Sequence, residues 1–173
     1  QGRAAIALTF SAGLKLIYKP KDLGLDVAFF QFLAWCNQQD LPLSFRILKV
    51  LNRGSHGWVE YVEHQPCADQ AAAQRFYQRA GMLMGILYLL GATDCHHENL
   101  IASGEDLILI DTETLLHPEA NSIDGSGVEQ VTTAADLLLS DSVFNTGLLP
   151  NWSFSADKRI AYDLSGLGST EIQ

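Results

Sequence analysis

The feature that most constrains this chain is a run of apolar residues that follows Pro66. Phe76, Ala80, Leu83, Leu87 and Leu90 recur at steps of four, three, four and three, which lines them along one face of an α-helix running from about residue 69 to 90. Gly91 stands where such a helix would end in a left-handed residue. A helix of that length with one continuous stripe must lie against another layer, and its neighbours read as short strands. Residues 45–51 and 57–62 look like two strands separated by the turn residues Asn52, Gly54 and Ser55. Residues 99–102 and 107–110 read as a hairpin around Ser103, Gly104, Glu105 and Asp106. The expected class is α+β.

Nearer the start, residues 12–20 read as a turn and then a strand alternating around Leu14, Leu16 and Tyr18, with Lys19 at its end and Pro20 stopping it. The next segment, residues 22–37, has Leu23, Val27, Phe30 and Ala34 at helical spacing, together with Phe29, Leu33 and Trp35. It is expected to be a helix buried around much of its circumference, with Trp35 and Trp58 as packing residues.

The chemistry is concentrated where the long helix ends. Asp94 and Asn99 are five apart and Asp111 follows twelve later. Protein kinases use an Asp that handles the substrate hydroxyl, an Asn that holds a metal ion, and a further Asp that holds Mg²⁺, in that order. The predicted hairpin brings Asn99 and Asp111 to one end of two neighbouring strands, a hard oxygen set that suits Mg²⁺. Lys19 lies where a small lobe would place its phosphate-pairing lysine, and the helix after it is where the lysine's acidic partner belongs. That helix holds no Glu, so Asp22 or Asp26 must serve. The expected architecture is a kinase-like two-lobe core, with residues 1–65 as a β-rich N-lobe portion and 66–173 as a helical C-lobe portion.

The runs KLIYKP and RGSHGWVEYV, the long block from Arg75 to Pro118 and the later DLSGLG resemble the dehydratase domain of class II (LanM-type) lanthipeptide synthetases. The resemblance implies an enzyme that uses ATP and Mg²⁺ to phosphorylate Ser or Thr of a ribosomal precursor peptide and then eliminates the phosphate, leaving dehydroalanine or dehydrobutyrine. Carried over by position, it implies that Lys19, Asp94, His96, Asn99, Asp111 and Glu113 belong to the active site. Glu113, two residues beyond Asp111, would face the same way if the segment is extended. The resemblance further implies partners in the rest of the synthetase, including a zinc-bearing cyclase domain. It places an Asp and a His of the phosphate-facing loop before Gly2-Arg3, and elimination residues after Gln173, so the chain reads as a fragment inactive by itself.

Composition narrows the classes. A chain of 173 residues, 47% hydrophobic, can bury on the order of 70% of its unfolded surface. The net charge of -9 without a clustered basic patch opposes nucleic-acid binding. No apolar run reaches membrane-spanning length. Cys36, Cys67 and Cys95 lack paired spacing, which fits a reducing cytoplasm, and the adjacent Cys95, His96 and His97 do not suit one tetrahedral zinc. His56 and His64 are expected on turns without a role. Residues 119–127 read as a loop, 132–139 as a short helix, and 151–173 as loop-rich. Two further readings remain: a small-molecule phosphotransferase of the aminoglycoside or choline kinase type, and a catalytically dead kinase-like binding module.

Overall fold

In the computed structural model, residues 4–116, 142–154 and 161–168 are described. The fold is mixed α+β. Two compact units divide the chain: Gln1–Gly81 with Ile101–Glu113, and Met82–Leu100 with Thr114–Gln173.

The first unit is built on a four-stranded sheet of β1 (Ile6–Thr9), β2 (Lys15–Lys19), β3 (Val50–Asn52) and β4 (Gly57–Glu60), ordered β1-β2-β4-β3 with every pair antiparallel. β2 ends at Lys19 as its pattern predicts, and Pro20 stops it. β1 has no counterpart in the sequence reading. It pairs with β2 from Ile6–Tyr18 to Thr9–Lys15, but its four mostly exposed residues leave no clear alternation to detect. The expected strand over residues 45–51 shrinks to β3. Phe45 is instead held by Asn37, whose amide donates to Phe45 O and accepts from Phe45 N at 2.8 and 2.7 Å, so a side chain takes the place of a strand partner.

Helix α1 (Gly24–Cys36) buries Phe29, Phe30, Leu33 and Cys36 but leaves Trp35 55% exposed, stacked on Phe32. Trp35 is thus a surface residue, whereas Trp58 packs on Tyr18 at 4.9 Å. Three hydrogen bonds fix the start of α1. Asp22 Oδ1 accepts from Gly24 N at 2.7 Å and from Asn52 Nδ2 at 2.8 Å, and Leu23 N donates to Asn52 Oδ1 at 3.2 Å.

Helix α2 (Gln70–Leu89) follows its stripe: Ala80, Leu83 and Leu87 are 2% exposed or less. Asp69 Oδ1 accepts from Ala72 N at 2.7 Å, an N-cap. At the other end Gly91 has φ +63°, with Gly91 N donating to Tyr88 O and Ala92 N to Leu87 O. This paired bond is the Schellman closure that the glycine signals. β5 (Leu100–Ser103) and β6 (Asp106–Leu109) form the expected hairpin, turned by Gly104 at φ +61°. Arg75 and Arg79 both clasp Glu105 at that turn, holding its carboxyl below the usual range.

In the second unit, 3-10 turns cover His97–Asn99 and Val143–Thr146, and β7 (Trp152–Phe154) pairs with β8 (Ala161–Asp163). The tail expected to be loop-rich therefore contains a strand pair. The loop and helix expected over residues 119–127 and 132–139 lie outside the described residues. No helix among the described residues is long and apolar enough to cross a membrane.

A Cβ added to Gly57 would press on Leu23 and stand 2.7 Å from Leu51 O. Backbone cannot move aside cheaply there, so Gly57→Ala is expected to cost about 1–3 kcal/mol, read as a lower denaturation midpoint with an unchanged slope.

Candidate active site

Lys19, Asp111 and Glu113 belong to the first unit, and Asp94, His96 and Asn99 to the second. Strand β2 delivers Lys19 facing α1, where Nζ lies 3.2 Å from Asp26 Oδ1, the two side chains being 11% and 5% exposed. Nζ also donates to the carbonyl of Ile110, so one of its three donors is left for an incoming anion. Of the two acids left open by the sequence, Asp26 is the one that pairs. Asp22 is spent on the start of α1.

Asp26 has a second partner that sequence reasoning missed. Thr112 Oγ1, 1% exposed, donates to Asp26 Oδ2 at 3.0 Å. The carboxylate is thus met on one oxygen by an ammonium and on the other by a hydroxyl, which is what a buried charge requires. The available signal was a small hydroxyl residue between two acids.

Asp111 and Glu113 point away from that network onto Lys21. Its Nζ is 2.9 Å from Asp111 Oδ1 and 2.6 Å from Glu113 Oε1. Burial works against the Lys21 charge, but the hydrogen bonds to Glu113 and Asp111 outweigh it and raise its pKa above the ordinary value. The shared facing of Asp111 and Glu113 does not come from an extended strand, since β6 ends at Leu109 and Glu113 N turns back to Asp111 Oδ1 at 3.2 Å. A cleft of about 290 Å³ opens here, lined by Ala5, Lys19, Pro20, Lys21 and Glu113. A larger apolar groove of about 670 Å³, lined in part by Phe10, Leu14, Leu51 and Trp58, holds none of the candidate site residues.

In the second unit Asp94 is about half exposed, and two neighbours hold it. Asn99 Nδ2 donates to Asp94 O at 2.8 Å and Oδ2 at 3.2 Å, which leaves Asn99 Oδ1 as the side-chain atom able to meet a cation. His96 Nδ1 accepts from Glu98 N at 3.2 Å, so the proton of the neutral ring sits on Nε2, 3.3 Å from Asp94 Oδ1. His97 does the opposite: its Nδ1 and its backbone N–H both donate to Leu164 O, at 3.0 and 3.1 Å. His96 serves Asp94 while His97 ties the loop down.

The DLSGLG segment buttresses this loop. Cys95 N donates to Thr146 O, and His96 forms a bridge with Ser165. A Cβ at Gly166 would lie 2.6 Å from Cys95 O and 2.8 Å from Leu148 Cδ1, so only glycine lets the segment approach. Among the described residues no three His, Cys, Asp or Glu side chains gather as a metal site. Asp111 and Glu113 in the first unit, and Asn99 in the second, each carry oxygen donors of the hard kind that divalent cations prefer.

A family model described as "Domain of unknown function (DUF4135)" matches residues 1–173, and the chain belongs to that family. It is 33% identical over 178 residues to the Lacticin 481/lactococcin biosynthesis protein LcnDR2 of Lactococcus lactis subsp. lactis, an alignment covering 98% of this chain and 19% of that protein. The chain is thus related to the LanM-type synthetases that its motifs resemble, and spans about a fifth of the length of this relative.

Thr112→Val keeps the shape and removes the donor to Asp26. The expected loss is about 1.5–3 kcal/mol, the range for a hydrogen bond to a charged group, with Thr112→Ser recovering most of it in denaturant titrations. Cys95 provides a pH test. Burial first, and then the Asp94 charge, push its thiol from 9.0 up to about 12. The neutral thiol therefore favours the folded state fully below pH 9 and loses that contribution as pH rises toward 12. At pH 8 iodoacetamide should label Cys67 and spare the 1%-exposed Cys95, as read by peptide mass mapping.

Proposed function

We propose that the chain is the catalytic portion of a lanthipeptide dehydratase, which phosphorylates Ser and Thr hydroxyls of a ribosomal precursor peptide and then eliminates phosphate. The observation that carries this reading is the buried Lys19–Asp26 pair, a strand-end lysine held by an acid on the following helix. Such a lysine–acid pair is what kinases require to be in place for phosphoryl transfer. The similarity to a lacticin 481 biosynthesis protein favours a peptide substrate over a small-molecule phosphotransferase.

In this reading residues 1–65 are the small-lobe portion and 66–173 the large-lobe portion of a kinase-like core. When bound, ATP would supply the phosphoryl group and Mg²⁺ would offset its charge, with Lys19 the residue for the phosphate oxygens and Asn99 and Asp111 those that would hold the metal. Asp94 orients the substrate hydroxyl and takes its proton as the oxygen bonds to the γ-phosphorus and the bond to ADP breaks. His96 Nε2–H keeps the Asp94 carboxylate aimed. For elimination a base takes the Cα proton, the electron pair left behind forms the Cα=Cβ bond as the Cβ–O bond breaks, and phosphate leaves with the electrons of that bond; Glu113 takes part in that step. The working partners are the precursor peptide and the rest of a synthetase with a zinc cyclase domain, in the cytoplasm where ATP is available.

In the intact protein, Asp94→Asn is expected to retain nucleotide binding and lose about 10²- to 10⁴-fold in phosphopeptide formation, measured by mass spectrometry of the peptide. Asp111→Asn should abolish Mg-dependent phosphorylation with the fold retained. Wild-type turnover in either variant would remove that residue from the mechanism.

A further inference from the structure

Two lysines flank Pro20, and they are held differently. Lys19 is locked on the buried Asp26 and the Ile110 carbonyl, whereas Lys21, 28% exposed, reaches to Asp111 and Glu113, 36% and 65% exposed. A single nitrogen there touches one oxygen of each acid, so both carboxylates converge on one cation. Asp111 Oδ1 also accepts from Glu113 N, which fixes its rotamer.

We propose that Lys21 is the resident counter-ion of this site: its ammonium occupies the point where the Asp111 and Glu113 carboxylates converge and competes for it with a divalent cation held by Asp111. The inference rests on the reading of Asp111 as a metal ligand. Exposed ion pairs contribute little to stability, roughly 0–1 kcal/mol each, so exchanging the ammonium for another cation costs the fold little. The lysine stem, with four rotatable carbons, lets the ammonium swing into the cleft lined by Lys19, Pro20 and Glu113 without moving the backbone.

The test is nucleotide-free binding of Mn²⁺, a spectroscopically visible substitute for Mg²⁺, to the intact protein, measured as loss of the free-ion electron paramagnetic resonance signal. Lys21→Met removes the competing charge and is expected to tighten Mn²⁺ binding about tenfold, since a unit charge acting on a doubly charged ion at close range is worth at least that in water. Lys21→Arg keeps a competing cation and should stay near wild type, which also controls for folding. If Lys21→Met binds Mn²⁺ no more tightly than wild type while Asp111→Asn weakens binding, the inference about Lys21 is wrong and the metal reading of Asp111 stands. If Asp111→Asn in the Lys21→Met background changes nothing, the ion sits elsewhere and both fall.

Discussion

The first unit is organised by the buried carboxylate of Asp26. An acid 3% exposed at its residue surface is costly to bury, and it is tolerated because Lys19 and Thr112 meet it from opposite sides. The carboxylate and its two partners come from three parts of the chain: α1, β2 and the residues after β6. Because breaking such a group leaves an uncompensated buried charge, each contact fixes the others. The strand-end lysine, the helix and the Asp111–Glu113 segment therefore have one arrangement in which all polar atoms are met, and the direction of Asp111 and Glu113 follows from where Thr112 must point.

What was legible in the sequence was whatever had a period or an obligatory residue. The α2 stripe, its Gly91 closure, the β5–β6 turn and the end of β2 at Pro20 all follow from local rules, and the structure places them within a residue or two of expectation. The failures were tertiary. β1 is made into a strand by pairing with β2, not by its own pattern. Residues 45–49 have strand-like composition, yet the amide of Asn37 takes up the Phe45 backbone instead. Trp35 sits in a helical apolar pattern but lies on the face of α1 that turns outward. Such choices depend on partners far away in sequence, which no window of residues contains.

The site shows the same division. The candidates Lys19, Asp94, His96, Asn99, Asp111 and Glu113 were named from spacing and resemblance, because the chemistry proposed for them calls for those residue types. The residues that hold them could not be so named. Asp26 was one of two open choices, Thr112 was marked only by lying between two acids, and Lys21 was unmarked, since a lysine carries no signal until its partners are located.

The loop of Asp94 shows how support and chemistry separate within four residues. His96 and His97 are adjacent and chemically identical, yet their hydrogen bonds demand opposite tautomers. The backbone N–H of Glu98 claims His96 Nδ1 and leaves Nε2–H for Asp94, whereas the Leu164 carbonyl requires Nδ1–H on His97. Leu164 belongs to the turn that Gly166 allows to approach Cys95, so a bulkier residue at 166 would displace the carbonyl that anchors His97 and, with it, the backbone from which His96 reaches Asp94. The distant DLSGLG run and the Asp94 motif are thus parts of a single device: one carries the carboxylate, and the other holds steady the loop that carries it.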